Sequence, residues 1–195
     1  MSRARRTALL LVLVALPLTG CGGGEGEVDT SAGEVTADIK DANTGTRGTA
    51  QMAFSDDGYV TVTVEANGLK PGLHGMHVHQ TGVCEQRGVD PANPGMPGFF
   101  LSAGGHIAEG DQVHGNHDGD LPSLLVRADG SARMVVESSR LTRDAVLDGD
   151  GSALIIHEKP DNFGNVPERY TPSVDDTTKK TGDAGTRVAC AVLKG

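Results

Sequence analysis

Residues 72–79 read Gly-Leu-His-Gly-Met-His-Val-His, three imidazoles within six positions of a 195-residue chain that has 7 histidines in all. In an extended segment successive side chains alternate between faces, so His77 and His79 share one face while Met76 and Val78 take the other. Two imidazoles side by side on a strand are the beginning of a metal site. His157 ends the apolar run Leu154-Ile155-Ile156 and can reach the same outer face from a second strand. His74 falls on the opposite parity beside Gly75, which suits a structural or supporting role. Further along, "HIAEGDQVHGNHDGD" supplies His106, His114, His117 and Asp120. Its His-x-x-His-x-x-Asp portion offers three donors on a glycine-rich loop, and with His106 as a fourth it can wrap one tetrahedral ion. Three imidazoles and a carboxylate suit zinc. Three or four imidazoles in a plane suit copper(II). Seven histidines facing seven or eight ligand places require one ring to serve twice. Each fragment alone is weak, since His-x-His also occurs on solvated strand edges and Asp-Gly-Asp is ordinary turn chemistry. The signal lies in their combination.

Such donors need a rigid frame, and the rest of the chain reads as strands. With 28 Gly, 9 Pro, 4 Phe, 2 Tyr and no Trp, the sequence is built of short Val/Thr/Ala stretches between polar turns, a composition that favours an all-β fold. Alternating polarity predicts strands at 34–41, 48–55, 59–66, 75–80, 123–128, 133–138, 153–157 and 187–193. Eight short strands form a sandwich or flattened barrel. Residues 81–121 and 158–186 resist the pattern, and loops of that length in a compact domain are usually functional. They carry or border the remaining histidines.

The first twenty residues stand apart. Arg3, Arg5 and Arg6 precede an apolar run from Ala8 to Leu18 that is short for a membrane span, which reads as an export signal. It ends in Leu18-Thr19-Gly20-Cys21, resembling a bacterial lipobox, in which cleavage before Cys21 and lipidation of its thiol anchor the chain. Residues 21–33 then read as a flexible tether and 34–195 as one domain. Loss of the three arginines takes the formal charge from -9 to -12. Nucleic-acid binding through bulk charge is excluded on that balance. With Cys21 assigned to the anchor, Cys84 and Cys190 are the pair left to bridge in an oxidising compartment.

At this point the residues resemble a known family, the exported bacterial copper/zinc superoxide dismutases. The segments "GLHGMHVHQTGVC", "SAGGH", "HDGDLPSL", "IIHEKPDNFG" and "KTGDAGTRVACAV" are similar to that family's signature segments and stand in its order, from near Ala37 to the end. The resemblance implies an eight-stranded Greek-key flattened barrel of immunoglobulin-like build with two long functional loops. It implies copper held by His77, His79, His106 and His157, and zinc held by His106, His114, His117 and Asp120. His106 is then the shared ring and, with Arg187, the catalytic residue: the ring carries a proton and the arginine guides the anion. Asp161 corresponds to an aspartate that supports ligands of both metals, and Cys84–Cys190 to the intrachain disulfide. The implied reaction converts superoxide to dioxygen and hydrogen peroxide. Because the chain is acidic, the anionic substrate needs a local positive funnel, for which Arg187, Lys179 and Lys180 are the candidates.

Two departures from the family pattern stand out. Only two residues separate His114 from His117, and "EQRGVDPANPGMPGFF" lengthens the span from Cys84 to His106. Phe99 and Phe100 within it read either as an exposed contact patch, consistent with a homodimer, or as a loop anchor. A non-catalytic module that stores or delivers copper or zinc is the competing reading, which Arg187 disfavours. A zinc hydrolase is weaker still, for want of a His-Glu-x-x-His arrangement.

Overall fold

Burial along Val60–Ala66 alternates with a period of two, so this strand turns Val60, Val62, Val64 and Ala66 inward and leaves its other residues toward solvent. The same rule builds the whole wall. The computed structural model describes residues 33–43 and 45–195. The strands are β1 (Glu34–Asp41), β2 (Thr46–Phe54), β3 (Val60–Ala66), β4 (Gly72–His79), β5 (Asp120–Val126), β6 (Ala132–Ser138), β7 (Ser152–His157) and β8 (Arg187–Leu193). They close into an antiparallel barrel in the order β1-β2-β3-β6-β5-β4-β7-β8. Lys40 opposite Cys190 and Asp41 opposite Ala189 close the ring. Two Greek-key crossovers follow from that order, β3 to β4 and β6 to β7. The expected leader, Cys21 and the tether up to residue 32 lie outside the described residues.

The expected strands agree with the structure to within two residues except at two starts. β4 and β5 each begin three residues earlier than expected, at Gly72 and Asp120. Alternation along "HDGDLP" is masked by turn residues, and Pro122 cannot donate to a ladder. The fold absorbs the proline in a bulge: His74 pairs with Leu124 and Met76 with Leu121, so Pro122 and Ser123 stand against Gly75 alone. The bulge sets Asp120 directly opposite His77.

Met52, Val62, Val64, Met76, Leu124, Leu154, Ile156 and Leu193 fill the barrel and are fully buried. β7 is buried along its whole length, because a second, smaller cluster lies outside the wall. There Ala153, Ile155 and Cys190 pack against Phe100 and Ala103 of the loop after β4. Phe100 is therefore the loop anchor of the two alternatives, while Phe99 stays 48% exposed. The disulfide Cys84–Cys190, with Cα atoms 5.8 Å apart across a separation of 106 residues, ties that loop to β8. Closing a loop of this length in the unfolded chain is worth roughly 4–5 kcal/mol on chain-entropy arguments. Among the described residues, a 3-10 turn at Leu101–Ala103 and two single-turn helices, α1 (Arg143–Val146) and α2 (Thr178–Thr181), accompany the strands.

Candidate metal centre

The pleat delivers the first three imidazoles. Pairing of His77 with Ile155 and His79 with Ala153 puts both rings on the outer face of β7, and His157 continues that face. The loop after β4 then folds back, so that His106 bridges to His79 and lies over the same wall. One potential donor atom each from His77, His79, His106 and His157 lies within 4.8 Å of the other three. All four residues are buried.

Hydrogen bonds fix which nitrogen each ring presents. Nδ1 of His79 faces the carbonyl of Gly104 at 2.8 Å, and Nδ1 of His157 faces that of Gly185 at 3.1 Å. Nε2 of His77 meets Asp161 Oδ2 at 2.5 Å, and Nε2 of His114 meets Asp161 Oδ1 at 2.7 Å. Each of these contacts places a proton on the bonded nitrogen, so that the neutral ring keeps its lone pair on the other. Among the described residues, seven buried side-chain polar atoms lack a hydrogen-bond partner, and four are those nitrogens: His77 Nδ1, His79 Nε2, His114 Nδ1 and His157 Nε2. Orphaned lone pairs at this depth are costly unless a cation takes them. The residues therefore fit a metal.

A second group shares His106. Asp120 Oδ1 lies 2.8 Å from Nδ1 of His106, 3.2 Å from Nδ1 of His114 and 3.4 Å from Nδ1 of His117. Nδ1 of His106 and His117 are 3.2 Å apart. Donors about 2 Å from one tetrahedral ion stand about 3.3 Å from each other, so these spacings suit zinc. His77 also falls within reach of this group, because its ring stacks on His106 with centroids 3.9 Å apart; its orphaned Nδ1 assigns it to the first. With Nδ1 of His106 turned to Asp120, Nε2 is the nitrogen left for the first group. Of the four expected donors, His106, His114 and Asp120 fall in one converging set, and His117 stands beside it through Nδ1, near both Asp120 Oδ1 and His106 Nδ1. The second carboxylate oxygen is tied down as well, Asp120 Oδ2 accepting from the backbone N–H of Gly115 at 2.7 Å and of His117 at 3.0 Å.

Burial, the dominant influence, pushes His77 down and His79 and His157 well below the usual histidine range. It lowers His106 to about 3 against the pull of Asp120. These rings are neutral and ready to ligate. His114 differs: burial disfavours its charge, but Asp161, bonded to Nε2, and the Asp120 carboxylate, 3.2 Å from Nδ1, together outweigh that and raise it to about 9. Both carboxyls, despite burial, are held far below the ordinary carboxylate range by the histidines around them. In metal-free protein the charged His114 stabilises the fold fully below its unfolded value near 6.5, and that contribution is lost as pH rises through about 9. A cation entering the second group must displace this proton. Its apparent affinity should therefore rise about tenfold per pH unit between roughly pH 7 and 8.5 and level off above 9. A zinc titration at several pH values checks this, and a flat profile would contradict it.

Of the supporting residues, His74 takes the structural role expected of it, whereas the backbone contacts of Gly104 and Gly182 carry no sequence signal of their own. His74 spans two carbonyls, His157 at 2.6 Å and Lys70 at 2.7 Å, and so braces the end of β7. Gly104 has φ 74 and ψ -155, a conformation open to glycine, and its carbonyl serves both His79 Nδ1 and, at 2.7 Å, Arg187 Nη2. Arg187 Nη1 donates to the carbonyl of Phe100 at 2.6 Å. Gly182, at φ +58, passes so close to Asp161 and His114 that a Cβ would lie 2.1 Å from Asp161 Oδ1. The glycine runs around His106 and before Arg187 are the one visible sign of these contacts.

A cleft of about 1120 Å³ opens over the first group, bordered by His79, His106, His157, Arg187, Lys180 and Lys159. Burial lowers Arg187 to about 10, so its guanidinium stays charged at neutral pH. Of the expected lysines, Lys180 borders the cleft, whereas Lys179 lies 3.8 Å from Asp176 and supports the site through its carbonyl, which accepts from His114 N–H at 2.7 Å. Lys159, two residues after His157, joins the cleft without any sequence pattern that singles it out.

The sequence profile of the copper/zinc superoxide dismutase (SODC) family matches residues 33–193. Superoxide dismutase [Cu-Zn] of Mycobacterium tuberculosis is 49% identical over 154 residues, which are 74% of this chain. The match takes in 63% of that relative's length, so the chain spans less than two thirds of it. The corresponding protein of Mycolicibacterium paratuberculosis is 45% identical over 185 residues, 90% of this chain and 80% of the relative. Among solved structures, the Cu/Zn superoxide dismutase from Brucella abortus superposes with a TM-score of 0.62 at 25% identity, covering 82% of this chain and 99% of that one.

Proposed function

The chain belongs to the copper/zinc superoxide dismutase family, and from that premise we propose that it dismutates superoxide to dioxygen and hydrogen peroxide with copper in the first donor group and zinc in the second. The observation that carries the proposal is the position of His106, whose ring lies among His77, His79 and His157 while its Nδ1 faces Asp120 and His117. His77, His79, His106 and His157 would hold copper, which would supply the one-electron redox chemistry that the reaction needs.

The chain's own residues do the rest. His77, His79 and His157 present preset lone pairs from two adjacent strands, so the donor set needs little rearrangement. His106 Nε2 is the atom placed to hold a proton beside the reacting anion, since Nδ1 is committed to the second group. Asp161 holds one ring of each group and keeps them in register. Arg187, pinned by two carbonyls, offers a fixed positive charge at the floor of the cleft, where a small anion can be drawn in and oriented.

Arg187→Ile should lower kcat/KM by about tenfold and flatten its dependence on ionic strength. Pulse radiolysis across a salt series checks this, and unchanged rates would remove Arg187 from the mechanism. Metal analysis paired with turnover tests the function itself. Copper-loaded protein that fails to turn over would support storage or delivery instead.

We further propose an exported, lipid-anchored protein on the outer face of the cytoplasmic membrane, supported by the Arg-rich apolar leader and the Leu-Thr-Gly-Cys21 sequence. Cys21→Ser should release the protein from membranes or leave it unprocessed; undiminished membrane retention would contradict the anchor. Association of two chains is the reading we attach to Leu73 and Leu125, a cross-strand pair 47% and 60% exposed on the outer face of β4 and β5. Sedimentation equilibrium distinguishes one chain from two.

A further inference from the structure

The lengthened segment between Cys84 and His106 forms one wall of the cleft, and it carries a carboxylate. Its neck is clipped by a bridge between Gly88 and Gly98, with Gly98 N–H donating to the Gly88 carbonyl at 2.9 Å. Gly88 is pressed against Ser102 so closely that a Cβ would lie 2.5 Å from its Oγ. Just past the neck, Asp90 Oδ1 accepts from Ala92 N–H at 2.9 Å, and its carbonyl accepts from Asn93 N–H at 3.2 Å. The carboxylate is therefore held in place rather than carried on a free side chain.

Three acidic residues border the cleft: Asp90, Asp176 and Asp183. Asp176 stands 3.8 Å from Lys179 Nζ, and Asp183 Oδ2 accepts from Thr178 Oγ1 at 2.8 Å and Asn162 Nδ2 at 2.7 Å. Asp90 borders the same cleft as Arg187. Arg187 is held by neutral carbonyls, and among the described residues no carboxylate forms an ion pair with it. Asp90, across that shared cleft, opposes the fall that burial imposes on Arg187.

We infer that Asp90 is a specificity-determining residue, a fixed counter-charge that weakens the cleft's attraction for anions in proportion to their charge and so favours a small monoanion over polyanions. The inference rests on the proposed dismutation. Its physics is simple: repulsion from one carboxylate scales with the charge of the approaching ion, so a dianion is penalised twice as much in energy as a monoanion at the same place. Arg187 stays in position without Asp90, because Phe100 and Gly104 hold it.

Asp90→Asn provides the test, with Glu137→Gln, a carboxylate on the exposed side of β6 that does not border the cleft, as the control for net charge. Azide binding to the copper-loaded protein is read by absorption, and inorganic phosphate is titrated as its competitor near pH 8. Asp90→Asn should tighten azide by about threefold and phosphate by about tenfold, and raise kcat/KM for superoxide by about two- to fivefold at low salt with a steeper fall as salt is added. Equal factors for the two anions, no change, or the same gains in Glu137→Gln would overturn the inference. A wild-type protein that binds copper and azide but does not turn over would remove the dismutase reading, while the azide-to-phosphate ratio would still decide the role of Asp90.

Discussion

His106→Ala should abolish dismutation to within about one hundredth of the wild-type rate and lower metal content in both groups. The ring is 6% exposed. Its centroid stands 3.9 Å from His77 and 4.8 Å from His79 on one side, and 5.2 Å from both His114 and His117 on the other. Removing it leaves three imidazoles for copper, a set that still binds. The zinc group falls to two imidazoles and a carboxylate, and the atom placed to hold a proton is gone. Zinc affinity should therefore fall more than copper affinity, and added copper should not restore turnover. Rates and metal analysis of the purified variant check this. A variant that retained more than a tenth of the activity would show that the shared ring is dispensable.

The second large effect is expected at Asp161, which touches no ion in this account. Both its oxygens accept from rings, Oδ2 from His77 and Oδ1 from His114, and Oδ1 also accepts the backbone N–H of Phe163 at 2.6 Å. Asn offers one acceptor and one donor in the same space, so one of the two rings must turn or change tautomer. His114 should be the loser, because it rides on a loop whereas His77 is fixed in β4. Asp161→Asn should accordingly cost about 10- to 100-fold in zinc affinity with copper largely retained. It should also bring His114 back toward the ordinary histidine range, so that the pH at which zinc affinity levels off drops below about 9. Wild-type zinc content and an unchanged pH profile would sink the positioning role.

Much of this centre is legible in the sequence, and the reason is geometric. The period-two rule assigns His77, His79 and His157 to the outer face, and the pairing of β4 with β7 puts them there. The start of β5 is not legible. Turn-forming Asp-Gly-Asp and Pro122 hide a strand whose first residue, Asp120, is held opposite His77 by a bulge that no local pattern announces. Nor can the sequence show which nitrogen each ring presents, because the partners that decide it for His79 and His157 are backbone carbonyls of Gly104 and Gly185. A carbonyl has no residue-specific signature. Charge is hard to read for a related reason: Lys179 and Lys180 are adjacent, but the α2 turn sends one toward Asp176 and the other to the cleft, while Lys159 arrives from a different loop.

One ring bonded to two ions is the claim on which the rest depends. The most direct measurement is the copper(II) electron paramagnetic resonance signal of protein carrying copper in the first group and cobalt(II) in the second, compared with protein carrying zinc there. A shared imidazole couples the two spins, so the copper signal should vanish with cobalt and persist with zinc. A full copper signal with both copper and cobalt bound would place the ions in separate sites and contradict the account.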